Sequence, residues 1–376
     1  MGGNNLKNNF IYRLLIVITL IFFLWLVINP RINAQENLNL EINADAYVVI
    51  DSKTGEIILE KNKNKRHFPA SITKILTAII AIEERDLNEM VTISQHAQNT
   101  EGSSLSLIAG DKISLRDLLY GIMLHSGNDG AVAIAEHISH NETEFSQKMT
   151  SFAKSIGANN TQFVNASGLP DDNHYTTAND MAIITRYAMK NKIFKDMVQH
   201  KRYTWDSRLW RDDLMNHEKI EATSLGVPWD GKPQIINHNR LLSLYKGATG
   251  IKNGFTHEAR YTLVGSAERN GTEIIAVLLK SKDSETAYKD MISLLDEGFK
   301  LNEEKLNTMV VNQDKQEDPE DELISGEKES SKNEKENIKK QNNLFKTLIN
   351  YKYTLPLGIV SIALIVFFII KRKQKR

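Results

Sequence analysis

The chain has 376 residues, with 47 Lys and Arg against 47 Asp and Glu and a formal net charge of zero. That length holds one large or two ordinary domains, and the balanced charge gives no overall basic field for nucleic acid. No cysteine is present, which excludes disulfides, thiolate metal sites and cysteine nucleophiles and leaves the redox compartment open.

Taken in chain order, the first element is a continuous apolar run, Leu14 to Ile28, behind Lys7 and Arg13. It is short for a membrane span and fits the core of a signal peptide over residues 1–34, with Ile32-Asn33-Ala34 ahead of a cleavage point at Gln35. A retained N-terminal anchor is the alternative, and either way the bulk of the chain is exported. Ala46 to Ile50 and Ile57 to Leu59 are β-prone runs around Asp51–Glu56, which predicts a hairpin with Gly55 in its turn.

Pro69 then introduces a run that is apolar at Ile72, Ile75, Leu76, Ala78, Ile79, Ile80 and Ile82. A proline before such a run reads as a helix start, and a helix with so little polar face is buried in a larger domain. Its first turn nevertheless carries Ser71 and Lys74, three apart and hence on one face. A serine at a helix N-terminus meets orphan N–H groups and the positive end of the dipole, which suits an alkoxide or an oxyanion. A lysine held out of water loses proton affinity and can act as a base. Alone, this short pattern fits a plain N-cap and a solvated lysine better.

Val91–Thr92 is a short strand. Ser114 to Asp117 has capping-box spacing ahead of a helix over Leu118 to Leu124. That helix stops at His125-Ser126-Gly127-Asn128-Asp129-Gly130, and a second follows over Ala131 to Ile138. Glu144 to Ile156 is amphipathic, with Phe145, Met149, Phe152 and Ile156 on one face, and Thr177 to Met189 forms a helix with Asp180 in its first turn. Lys201 to Gly247 shows little periodicity. Gly250 to Thr256, Tyr261 to Ala267 and Ile274 to Leu279 are β-prone, the last two joined through the hairpin signal Asn270-Gly271. Ser284 to Lys300 is an amphipathic helix.

From Glu303 to Asn343 polar residues dominate, too few apolar ones remaining to bury a core, so residues 302–350 read as a disordered or loosely helical stalk. Leu355 to Ile370 is apolar, preceded by Tyr351 and Tyr353 and followed by a basic cluster from Lys371 to Arg376. Aromatic residues at one interface and basic ones at the other mark a transmembrane helix over 351–371 with a cytoplasmic tail at 372–376. The expected fold is α+β over residues 37–301: an antiparallel sheet with its first hairpin from the start of the chain and three strands from the end. Helices flank that sheet and a mostly helical lobe adjoins it.

Two further stretches carry chemistry. Ser126-Gly127-Asn128 is a polar turn between helices, built of ordinary turn residues. Lys252-Asn253-Gly254 lies in a strand, where a glycine marks a bulge or the close approach of another backbone. In order, Ser71/Lys74, Ser126/Asn128 and Lys252/Gly254 resemble the three motifs of penicillin-binding proteins and serine β-lactamases. His67-Phe-Pro-Ala-Ser-Ile-Thr-Lys74, Asn165-Ala-Ser-Gly-Leu169, His174-Tyr-Thr-Thr-Ala-Asn-Asp180 and Gly250-Ile-Lys-Asn-Gly-Phe-Thr256 are similar to the low-molecular-mass serine D-alanyl-D-alanine carboxypeptidases. The resemblance spans Asn37 to Leu301.

The resemblance implies a β-lactamase/transpeptidase-like fold and acyl transfer on a stem peptide ending in D-Ala-D-Ala. Ser71 is then the nucleophile, Lys74 the general base and Ser126 the proton relay to the leaving amine. Asn128, Lys252, Asn253, Gly254 and Thr256 bind substrate, and the backbone N–H groups of Ser71 and Phe255 form the oxyanion hole. It also implies acylation by β-lactam antibiotics; the C-terminal apolar and basic segment predicts a membrane tether with the catalytic domain on the extracytoplasmic side, and the balanced charge gives no nucleic-acid partner.

No metal or cofactor is implied: His137 and His140 lack a third ligand, and His125 cannot form a triad with adjacent Ser126. Asn253 stands where the family has threonine, Arg260 near a usual glycine, and the stalk where a β-rich domain is common. The alternatives are a β-lactamase or D,D-endopeptidase, or a peptidoglycan-binding module without turnover. Asn253 motivates the last, and the retained Ser71, Lys74, Ser126 and Lys252 weigh against it.

Overall fold

A computed structural model describes residues 40–204 and 234–313. The expected leader, the transmembrane helix, the cytoplasmic tail and most of the stalk lie outside them. Among the described residues no helix is long and apolar enough to cross a membrane.

β-prone, largely apolar runs build the sheet, whose central strands are buried on both faces. Strands β1 (Ala46–Asp51), β2 (Ile57–Lys61), β7 (Ala248–Thr256), β8 (Arg260–Arg269) and β9 (Thr272–Ser281) form one antiparallel sheet in the order β2-β1-β9-β8-β7. Val48 pairs with Val277 and Val49 with Ala276, so adjacent positions serve opposite faces. On one face Val49, Leu263, Ile274, Ala276 and Leu278 pack with Ala287, Met291, Leu294 and Phe299 of a long helix. On the other, Val48, Ile50, Val264, Ile275, Val277 and Leu279 join the core of the helical lobe. The β1–β2 turn has Gly55 at φ 79°, and the β8–β9 turn has Asn270 and Gly271 both left-handed, as an Asn-Gly hairpin requires. The α+β architecture, with its first two strands from the start and the last three from the end, matches the sequence expectation.

The helical layer comprises α1 (Lys74–Glu84), α2 (Gln95–Gln98), α3 (Leu115–Tyr120), α4 (Asn128–Ser139), α5 (Glu142–Ser155), α6 (Ala178–Met189) and α7 (Lys192–Gln199). A small β3–β4 pair (Met90–Thr92 and Lys112–Ser114) and a β5–β6 pair (Arg202–Thr204 and Gln234–Ile236) flank it. Every residue of α1 from Lys74 to Ile82 is buried, as its all-round apolar pattern predicts. Ser114, Asn141, Thr177 and Asn191 cap α3, α5, α6 and α7 through their side chains. Several features escaped sequence reading: α2, β4, α7, the β5–β6 pair, and a short α8 (Leu241–Leu244).

The closing helix α9 runs from Ser284 to Gln313, beyond the Lys300 that amphipathicity marks. Its last turns need no apolar stripe, because Glu303, Glu304 and Lys305 are good helix formers that continue a helix already nucleated by packing.

Asp290 of α9 is buried and ties down the segment leading to β1. Its carboxylate accepts from the backbone N–H of Asn43 at 2.9 Å and of Ala44 at 3.0 Å, and from Asn43 Nδ2 at 3.3 Å. Asp290→Ala leaves buried donors unpaired and should cost about 1–3 kcal/mol, read as a lower urea midpoint at unchanged m-value.

Candidate active site

Ser71 lies in a single 3-10 turn, Ala70–Thr73, that feeds directly into α1. Ala70 holds φ 50°, a left-handed conformation that costs an alanine roughly 1 kcal/mol. Surrounding contacts impose it. Pro69 O accepts from Thr262 Oγ1 of β8 at 2.9 Å. A Cβ on Gly254 of β7 would sit 2.7 Å from Ser71 N, and one on Gly168 would sit 1.9 Å from Ala70 O. Only glycine lets both backbones come so close to the serine turn.

Lys74 is wholly buried. Its Nζ lies 3.1 Å from Ser71 Oγ, 2.7 Å from Asn128 Oδ1 and 2.6 Å from Ser167 O. The three-residue spacing read from the sequence thus becomes a direct contact. Burial first, and then the positive charge of Lys252, hold the Lys74 amine well below the usual lysine range; Asp129 and Glu142 offset this in part. Such an amine is a base competent to take a proton from the hydroxyl beside it.

Ser126 and Asn128 occupy the corner between a wide-turned segment, Gly121–His125, and α4. Ser126 is buried at φ 72°. Its hydroxyl makes no hydrogen bond to Ser71, Lys74 or Lys252 among the described residues. Asn128 spends its oxygen on Lys74 and its Nδ2 on Glu101 O at 2.7 Å. The amide read as a substrate contact is therefore engaged in holding the lysine.

Lys252 is fully buried, and burial pushes its amine down to about 7. It donates to Asn253 O at 3.0 Å and Asn253 Oδ1 at 3.3 Å. Thr256 Oγ1 accepts from Ala259 N at 3.0 Å, closing the β7–β8 turn. In that turn Arg260 adopts φ 56°, the conformation for which glycine is the usual residue, and its guanidinium donates to Lys282 O at 2.8 Å. Phe255 is exposed, its ring against Tyr261. His137 Nε2 lies 2.8 Å from Glu89 Oε2.

The loop Asn165–Leu169 carries part of the family resemblance, but its sequence alone assigns it no role. Asn165 Oδ1 accepts from Ser167 N and Gly168 N, and Asn165 Nδ2 donates to Leu169 O. Glu142 accepts from Ala166 N and Ala166 O accepts from Thr77 Oγ1, so the loop is pinned from α5 and from α1. Asp129, behind Asn128, accepts from Ser104 Oγ and from the N–H groups of Leu105, Leu107 and Gly130. His174 is buried, Nε2 lying 3.0 Å from Thr73 Oγ1 and Nδ1 accepting from Val164 N at 3.3 Å.

Three comparisons bear on this geometry. A family model described as D-alanyl-D-alanine carboxypeptidase matches residues 32–283. The D-alanyl-D-alanine carboxypeptidase DacF of Bacillus subtilis is 33% identical over 272 residues, covering 71% of this chain and 65% of the relative. The chain therefore spans slightly under two thirds of that relative's length. Among solved structures, the D-alanyl-D-alanine carboxypeptidase DacD from Francisella tularensis is 33% identical at a TM-score of 0.59, covering 69% of this chain and 70% of that one. A Streptomyces DD-transpeptidase is 30% identical at 0.60, covering 69% and 98%.

Burial pushes His174 down from 6.5 to about 4. The folded protein keeps this imidazole neutral where the unfolded chain binds a proton. Its contribution is therefore intact above pH 6.5 and is lost as pH falls through about 4, by at most roughly 3 kcal/mol. His174→Gln should flatten the fall in urea-unfolding stability across that interval.

Proposed function

The chain belongs to the D-alanyl-D-alanine carboxypeptidase family, and on that premise we propose that it removes the terminal D-alanine from peptidoglycan stem peptides through an acyl-enzyme on Ser71. The reading includes a catalytic domain working on the extracytoplasmic side of the cell membrane and acylation by β-lactams.

One observation carries the mechanism. Two of the three contacts of Lys74 Nζ are to carbonyl oxygens, Asn128 Oδ1 and Ser167 O, which can only accept. A neutral amine has two N–H bonds and one lone pair. With both N–H bonds directed at those oxygens, the lone pair faces Ser71 Oγ at 3.1 Å. The hydroxyl then donates to the amine, and the proton leaves as Ser71 attacks the penultimate carbonyl.

The developing oxyanion is taken by the N–H groups of Ser71 and Phe255. Gly254, whose missing Cβ lets β7 approach Ser71 N, supports that assignment. Such a donor is worth about 10²–10³ in rate. Ser126 passes the proton to the leaving amine, and water then hydrolyses the acyl-enzyme. Lys252 offers its charge to the terminal carboxylate, with Asn253 and Thr256 beside it.

The likeness to a transpeptidase of the same fold favours a second reading in which another amine, rather than water, accepts the acyl group. Adding an amino-acid acceptor to the D-alanine assay separates the two, since transfer yields a peptide carrying the acceptor in place of the released D-alanine. A fluorescent penicillin should label the wild-type protein and leave Ser71→Ala unlabelled. A D-Ala-D-Ala peptide should release D-alanine only with the wild type. Folded wild-type protein that takes no label and releases no D-alanine would overturn the proposal.

Asn253 sharpens the substrate side. Its Oδ1 accepts from Lys252, so an incoming carboxylate competes with an internal acceptor. Asn253→Thr removes that competitor and supplies a hydroxyl. It should lower KM for the peptide by about three- to tenfold, the net worth of one ordinary hydrogen bond, with kcat little changed. Initial rates across a peptide concentration series give both constants.

A further inference from the structure

His174 is a buried, bonded group beside the reaction centre that the proposed reaction does not use. Val164 N donates to its Nδ1, so the neutral ring carries its hydrogen on Nε2 and donates to Thr73 Oγ1. Thr73 ends the serine turn and immediately precedes Lys74. Val164 leads into the loop whose Ser167 O receives the Lys74 amine. The imidazole therefore spans the two segments that fix Lys74, one bearing the hydroxyl and the other an obligate acceptor. The edge of Phe163 closes over it at 5.4 Å between centroids. The charged groups acting on it are Asp171, from its own loop, and Lys74, from α1.

We propose that His174 is a positioning residue for acylation, its Nε2–H bond to Thr73 Oγ1 holding the Ser167 carbonyl against the Lys74 amine. The proposal rests on the reading of Lys74 as the base. If the bond is lost, the loop can draw away from α1 and water can reach the amine. Hydration raises the proton affinity of a buried lysine, so less of it is neutral at a given pH. A histidine that merely filled the core would lower stability without moving the pH at which the base becomes competent.

The test uses the full chain as wild type, Thr73→Val, His174→Phe, His174→Gln and the Thr73→Val/His174→Phe double variant. The second-order rate of acylation by a fluorescent penicillin is measured from about pH 5 to pH 10, bracketing the acid limb. Thr73→Val and His174→Phe should each lower the neutral-pH rate by about tenfold or more, as small misplacements of catalytic groups do. Both should move the acid limb to higher pH. The double variant should be no slower than the slower single one, because both remove the same bond. His174→Gln can donate to Thr73 and accept from Val164, so it should keep most of the rate and the wild-type limb.

Single variants within twofold of wild type, an unmoved limb, or losses that multiply in the double variant would each overturn the proposal. If His174→Phe fails to fold by circular dichroism, the nearly isosteric Thr73→Val decides alone. Failure of the underlying reading looks different: the wild type itself takes no label.

Discussion

An amine without water, facing two oxygens that can only accept, is the constraint on which the site depends. Burying a lysine charge is costly, and the protein answers by lowering the proton affinity of Lys74. A neutral amine is mobile in one respect, since its lone pair points wherever its N–H bonds do not. Asn128 Oδ1 and Ser167 O remove that freedom. Each is itself held, Asn128 by its other amide end on Glu101 O and Ser167 by the Asn165 bonds within its loop. The direction of one lone pair is thereby fixed by hydrogen bonds from three separate stretches of chain.

The serine turn is fixed by a different kind of contact. Around Ala70 and Ser71 the structure uses backbone against backbone: Gly168 under Ala70 O, Gly254 against Ser71 N, and Thr262 on Pro69 O. These contacts are short and stiff, and they hold Ala70 in a left-handed conformation it would not choose. Strain is sustained only where the surroundings over-determine it. Here the sheet supplies one wall through β7 and β8, and the loop before α6 supplies the other. That division explains why the reactive residues come from both layers of an α+β fold.

Much of this was legible in the sequence, and the limits have physical causes. Strands β1, β8 and β9 announce themselves as β-prone, largely apolar runs bounded by the Gly55 and Asn270-Gly271 turns, because strands buried on both faces present no polar side. Ser71 and Lys74 meet because helical spacing is fixed by geometry. Ser167 could not have been found, since a backbone carbonyl has no side-chain signature. His174 and Asp129 were visible only as letters in longer stretches; their bonds join positions far apart in sequence, to Thr73 and to the loop at Ser104–Leu107. The family resemblance implies a substrate contact for Asn128, and its burial against Lys74 is a tertiary fact.

Lys252 also acts on Lys74, which bears on how the reaction is timed under the proposed mechanism. Lys252 is the second cause, after burial, of the depressed proton affinity of Lys74. Its positive charge favours a neutral base in the empty site. A substrate ending in a carboxylate brings a negative charge to Lys252 and cancels much of that field. Lys74 then gains proton affinity just as the seryl proton must move to it. Burial, the larger cause, is unaffected by the anion, so the shift tunes the base without charging it beforehand. On this argument the carboxylate does more than anchor the peptide: a ligand lacking it would meet the same nucleophile beside a weaker base.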